Sequence, residues 1–183
     1  MTIEQFWRLI DQARAEVVDT TDADAVADRA AALLATRPVA EIVAAQRPLG
    51  SEMCIRHRLL AVAYRARLWA AAYLINDGCS DDGFDYFRGW LIAQGREVFE
   101  RVVAEPDRLA ELPAVQAAAQ DQVLLEAESV LAVPWEAHQT ATGQDMPPPR
   151  VSVQLPELDR TVRIDDERSH RQHLPRLAEL FLD

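Results

Sequence analysis

Apolar residues recur at three- and four-residue intervals along most of the chain, the spacing of one face of an α-helix. Thr2-Ile3-Glu4-Gln5 fits a capping box, in which the Thr2 hydroxyl accepts from the Gln5 amide and the Gln5 side chain reaches back. Ile3, Phe6, Ile10, Ala13 and Val17 follow at helical spacing, so a first helix is expected to end near Val18. A second is predicted over 22–36, with Val26, Ala30 and Leu33 inward. Arg37-Pro38 stops it, and Pro38 suits the first position of a short third helix reaching Gln46.

After a break at 48–51, the spacing predicts one long helix over 51–76. Leu59, Val62, Ala66, Trp69, Ala70 and Tyr73 form its inward stripe. Asn76-Asp77-Gly78 ends it, because Asn and Gly tolerate the left-handed conformation. Ser80 or Asp82 caps the next helix, predicted to run to about Ala104 and to stop at Glu105-Pro106-Asp107. A short helical turn at 107–111 leads to a helix over 114–133, which Pro134 kinks or stops, with 135–141 as its continuation. Gly143 to Pro149, with Pro147-Pro148-Pro149, reads as a stiff linker. Val151, Val153 and Leu155 alternate, as do Val162 and Ile164, which allows a small hairpin. A last amphipathic helix carries Leu174, Leu177, Leu180 and Phe181, and no internal repeat is present.

The densest chemistry lies in Gly78–Gly95, which gathers acids, aromatics, an arginine and most of the glycines. On a helix, Asp81, Asp85, Arg88 and Ile92 share one face, and Phe84, Phe87, Leu91 and Val98 the neighbouring apolar one. Asp85 and Arg88 are spaced to pair, and the Arg88 guanidinium is spaced to lie along the Phe84 ring. Helix capping, dipole complementarity and core packing call for these same residue types. Asp81-Asp82-Gly83-Phe84-Asp85 also has the DDxxD form that holds magnesium in helical isoprenoid synthases, since carboxylates one turn apart suit that ion. The chain is short for that fold, and no second aspartate-rich motif occurs. Gly83, Gly89 and Gly95 fall inside the predicted helix, where each costs up to about 1 kcal/mol against alanine. Close approach of another backbone, or of a ligand, would offset that.

No phosphate loop, dinucleotide fingerprint, serine elbow or paired Cys/His spacing occurs, so neither a cofactor nor a metal is expected. Cys79 precedes a helix start, which lowers a thiol pKa, but Asp81 and Asp82 act against that. His170 and His173 sit in a polar, Arg-rich tail and read as a solvated face.

Composition narrows the classes. At 183 residues the chain can bury a core without disulfides, and 49% hydrophobic content argues against general disorder. The formal net charge of -11 disfavours nucleic acid and anionic membrane surfaces as partners. No secretory signal or membrane span is expected, which places the chain in the cytoplasm with its thiols reduced.

Leu68 to Asn76, running on through Gly78-Cys79-Ser80-Asp81-Asp82-Gly83-Phe84 to Arg96-Glu97-Val98-Phe99, resembles the bacterial domain-of-unknown-function family 4240. Phe6-Trp7…Ile10-Asp11, Ala104-Glu105-Pro106-Asp107, Thr142-Gly143 and Leu174-Pro175-Arg176-Leu177 fit its other landmarks. The resemblance implies a small helical bacterial protein and carries no catalytic or binding residue with it. Leu49 to Arg58 departs from the family pattern and is similar to a peptide translated from a sequencing adaptor, so Cys54 and His57 carry no functional weight.

The expected fold is an all-α, single-domain helical bundle. Residues 1–142 form its core, and 143–183 a Pro-containing linker and C-terminal segment packed on it. The expected function is non-enzymatic: protein binding or regulation through a surface built from Asp81, Asp82, Asp85, Arg88, Trp90 and Gln94, recognised by an exposed aromatic patch at Tyr86 or Trp90. Two alternatives stand beside it. One is a metal- or phosphate-binding enzyme using Asp81, Asp85 and Arg88. The other is a homodimer contact permitted by Gly89 or Gly95. The sequence leaves the oligomeric state open.

Overall fold

The computed structural model describes residues 1–46, 55–146 and 155–182, and among them every regular element is a helix. Helix α1 (Ile3–Glu16) starts on the Thr2/Gln5 capping box, and α2 (Ala23–Ala35) on the Asp22 carboxylate, which accepts from the Ala25 amide. α3 (Val39–Gln46) follows Pro38 as the spacing predicts. The chain continues through α4 (Ile55–Val62), α5 (Ala66–Ile75), α6 (Asp81–Ala93) and α7 (Arg96–Ala104). A 3-10 turn (Pro106–Glu111), α8 (Pro113–Asp121), α9 (Glu128–Thr142), α10 (Glu167–His173) and α11 (Pro175–Phe181) complete it.

Three predicted long helices are broken or end early. The helix expected over 51–76 is two, α4 and α5, parted at 63–65. In an unbroken helix the Leu60 and Val62 carbonyls would accept from the amides four residues on. Here Leu60 accepts from the Arg88 guanidinium and Val62 from Arg65 Nε at 3.0 Å. Arg65 itself is extended, and Val62, expected inward, ends α4 exposed. Tyr73, from the same stripe, is half-buried.

The helix expected over 80–104 breaks at Gln94–Gly95 into α6 and α7. Arg14 Nη1 donates to the Ala93 carbonyl at 2.6 Å, and Gly95 turns the chain at φ +88°, a region that glycine enters at little cost. The helix expected over 114–133 ends early, where Gln122 adopts a left-handed conformation at φ +54°. A non-helical connector, residues 122–127, leads to α9, which passes through Pro134 instead of stopping there.

The expected last helix is α11, and a further short helix, α10, precedes it in the tail read as a solvated face. The Asp107 carboxylate accepts from the Arg176 and Leu177 amides at 3.1 Å each and so caps α11. Leu174 and Leu177 are buried as expected, whereas Leu180 is exposed. No strand occurs among described residues 155–165, and the first arm of the suggested hairpin, 151–154, lies outside the described residues. So do Pro147-Pro148-Pro149 and most of the 49–58 segment.

α9 packs against α2, α3 and α6, while α11 packs against the 3-10 turn and α5. α6 touches α2, α4, α5, α7 and α9. It buries Phe84, Phe87, Trp90, Leu91 and Ile92 in one core. The Phe84 ring stacks on Trp69 at 4.8 Å, and Trp7 meets Phe99 at 5.3 Å. Val162, Leu174 and Leu177 from the C-terminal segment join the same core.

Candidate functional site

The central motif folds largely inward. Ser80 caps α6 by accepting from the Gly83 amide at 3.1 Å, and Asp81 and Asp82 stand exposed in the first turn beside the positive end of the helix dipole. Arg88 is 2% exposed. Its Nε donates to the Phe84 carbonyl at 3.2 Å, Nη1 to Leu60 and Nη2 to Asp85. Its guanidinium carbon lies 4.5 Å from the Phe84 ring centroid and 5.2 Å from that of Tyr64. Burial holds its pKa below the ordinary value, and the Asp85 carboxylate works against that. All three guanidinium nitrogens are therefore engaged within the fold, and the group acts as a brace between α6 and the end of α4.

The expected binding surface thus does not form as one patch. Trp90 is 2% exposed and packs on Phe87 at 5.3 Å, so the expected aromatic patch cannot include it. Gln94 is half-buried and donates to the Trp90 carbonyl at 3.2 Å. Asp85 is half-exposed and engaged by Arg88. The face anticipated from helical spacing is real, but its Arg88–Ile92 half points into the core. The hydrophobic neighbours of Arg88 signalled this in the sequence, and its charge masked it.

Each of the three glycines expected in this helix meets another part of the chain, Gly95 at the Arg14 and Asp11 side chains. A Cβ on Gly89 would lie closer than 3.0 Å to the Ala127 carbonyl oxygen, so α6 and the 122–127 connector approach backbone to backbone. Gly83 faces the Glu126 carboxylate, where a Cβ would lie 3.2 Å from the nearer oxygen. The connector is held further by Asn76, whose side-chain amide accepts from Leu125 N–H at 3.0 Å and donates to Leu125 C=O at 3.5 Å.

Among the described residues no group of three or more His, Cys, Asp or Glu is placed to hold a metal ion. His170 is buried and donates from Nε2 to the Ile164 carbonyl at 2.7 Å. It is a core residue, not part of the solvated face expected for the tail. The Cys79 thiol is pushed up to about 12, first by burial and then by the Glu126 carboxylate. The Trp69 indole donates to the Cys79 carbonyl at 3.0 Å.

Sequence reasoning missed two surface features. The first is a groove of about 650 Å³ between the 122–127 connector and α11. Val123 (56% exposed), Leu124 (60%) and Leu180 (40%) crowd its wall with Phe181, and Asp77 is its charged lining residue. The signal was Val123-Leu124-Leu125, three consecutive apolar residues that no single helical face can bury. The second is a shallow, open cleft of about 480 Å³ between α5 and the 160–165 loop, walled by Trp69, Tyr73 and Cys79 on one side.

Residues 1–140 match the model of the family described as "Protein of unknown function (DUF4240)". The chain belongs to this family. No curated protein and no solved structure matches it. The DUF4240 match spans α1 through most of α9, including Arg88 with all its partners and both sides of the Gly89–Ala127 contact. It also holds one wall of each surface feature. The opposing walls, α11 at the groove and the 160–165 loop at the cavity, come from residues beyond the match. No described helix is long and apolar enough to cross a membrane.

Proposed function

We propose that this DUF4240 chain is a non-enzymatic protein-binding or regulatory domain whose docking face is the groove between the 122–127 connector and α11. The observation that supports this reading is the clustered exposure of Val123 and Leu124 opposite Leu180. Isolated apolar side chains are ordinary on a surface, but adjacent ones at the wall of a largely polar groove support an interaction site there. Charge favours one kind of occupant. Asp77 lines the groove, Asp121 and Glu179 adjoin its lining residues in sequence, and no basic residue is among the described lining residues. With a formal net charge of -11 behind it, such a wall favours a cationic amphipathic segment of a partner protein.

Fluorescence anisotropy with a labelled Leu/Lys amphipathic peptide tests this, with a matched Leu/Glu peptide alongside. The Leu/Lys peptide is expected to bind, to weaken as salt rises, and to lose affinity for Leu124→Asp. Leu124 is exposed, so that variant retains the fold. Equal binding of both peptides, or binding indifferent to Leu124→Asp, would refute the reading. The alternatives have less support. A metal- or phosphate-binding enzyme on Asp81, Asp85 and Arg88 would need a guanidinium that the fold already engages. A homodimer contact through Gly89 or Gly95 would need backbone that faces Ala127 or the Arg14 side chain of the same chain.

A further inference from the structure

The cavity beside Cys79 joins two walls of different character. One is aromatic, with the Tyr73 ring and the edge of Trp69, whose face is covered by Phe84. The other is the 160–165 loop, which lines the cavity with Arg160, Arg163 and Asp165 and with apolar Val162 and Ile164.

The loop is fixed at several points. His170 Nε2 donates to the Ile164 carbonyl, the Arg163 amide donates to Ser169 Oγ at 3.0 Å, and the Asp159 carboxylate accepts from the Thr161 amide at 2.9 Å. Two guanidiniums are thus mounted on a tethered backbone. Both arginines are exposed, and among the described residues neither guanidinium has a hydrogen-bond or ion-pair partner; Tyr73 is half-buried, with its ring 6.2 Å from that of His170. Other described arginines are held by carboxylates, Arg29 by Glu16, Arg96 by Glu100, Arg108 by Glu105 and Arg176 by Glu111. Fork donors and aromatic side chains lining one cleft match an oxyanion carried on a flat apolar body.

We propose that this cavity binds a small aromatic anion, a carboxylate or a phosphate ester, with Arg160 and Arg163 holding the oxyanion and Tyr73, Val162 and Ile164 receiving the ring. Asp165 shares the rim and leaves it net positive, because two guanidiniums face one carboxylate. Glu126 lies near enough to the Cys79 thiol to raise its pKa, and its charge disfavours an anion at that end. The Cys79 thiol stays protonated at neutral pH and adds no repelling charge. The site is separate from the groove, so the two proposals stand or fall independently.

Isothermal titration of the full chain with phenyl phosphate, benzoate and neutral phenol tests it. The variants are Arg160→Gln/Arg163→Gln, and Arg168→Gln, an exposed arginine outside the cavity lining. At least one anion is expected to bind, with affinity falling about tenfold or more in the double variant and unchanged in Arg168→Gln. Phenol is expected to bind much more weakly. Tighter binding of phenyl phosphate assigns the phosphate class, and tighter binding of benzoate the carboxylate class. The proposal is overturned if neither anion binds by about 10 mM, if phenol binds as well as they do, or if binding survives the double variant. Circular dichroism of the double variant establishes that it is folded, so that lost binding reports the guanidiniums.

Discussion

Gly89 faces the Ala127 carbonyl so closely that a Cβ there would sit inside 3.0 Å of the oxygen. The obstacle is backbone, pinned on the other side by Ala127 N–H donating to the Tyr86 carbonyl at 3.0 Å. It cannot swing aside as a side chain would. Gly89→Ala is therefore expected to destabilise the fold by about 1–3 kcal/mol even after the roughly 1 kcal/mol that alanine gains in a helix. Gly83→Ala meets only a carboxylate oxygen of Glu126 at 3.2 Å, and that flexible side chain can yield. It is expected to stay within about 1 kcal/mol of the parent. Urea denaturation midpoints of the two variants check this, and equal losses would remove the backbone-contact explanation.

Arg88 supplies a second test, because its role depends on shape as well as charge. Lysine keeps the positive charge and loses the fork that reaches Phe84, Leu60 and Asp85 together. Arg88→Lys is expected to cost about 2–4 kcal/mol, through the buried Leu60 carbonyl left without its donor and the lost stacking on Phe84. Asp85→Asn should cost far less, since the Asp85 side chain is 45% exposed and its pairing is screened by water. Thermal and urea unfolding of both variants rank them. If Asp85→Asn proved the more damaging, the brace between α6 and α4 would have to be replaced by a simple ion pair.

Much of this architecture was legible in local sequence. The Thr2/Gln5 box, the Asp22 and Ser80 caps and the Asn76-Asp77-Gly78 stop depend on residues within a few positions of one another. The breaks inside α4–α5 and α6–α7 were not legible, because guanidiniums remote in sequence hold the carbonyls there. Arg88 lies 28 residues from Leu60, and Arg14 lies 79 from Ala93. Gly95 was read as a helical glycine because Leu91 and Val98 keep helical phase across it, whereas its positive φ accompanies packing against the Arg14 and Asp11 side chains of α1. At the candidate site, spacing placed Asp85 beside Arg88 correctly. Spacing could not tell whether that face looked out or in, since burial of a charged group depends on carbonyls supplied by other helices.

Asn76 holds the groove wall in place. Its amide serves both backbone groups of Leu125, as a neighbouring strand would, and so fixes a connector that has no regular structure of its own. Asn76→Ala leaves Leu125 N–H and C=O unsatisfied in a buried setting, at an expected cost of about 1–3 kcal/mol. The local consequence is sharper than the global one. Amide exchange at Leu125 should accelerate more than at α2 or α9 core positions, and the Leu/Lys peptide should bind more weakly, because Val123 and Leu124 lose their fixed position. Uniform acceleration across the chain would mean that Asn76 supports the whole fold and not the connector.

Cys79 offers a pH test with a definite sign. Burial and Glu126 raise its folded pKa from 9.0 to about 12, so the folded state keeps its proton where the unfolded state has released it. The stabilising contribution is complete below pH 9 and is lost as pH rises from there through 12. In a Cys54→Ser background, the stability difference between the parent and Cys79→Ala should shrink steadily across that window. The same shift of about three units leaves roughly a thousandfold less thiolate at pH 8 than an ordinary thiol would carry. Alkylation by iodoacetamide at pH 8 should therefore be slower in the native chain than in urea by at least a hundredfold, roughly. Equal rates in the two states would show that the thiol is neither desolvated nor opposed by Glu126.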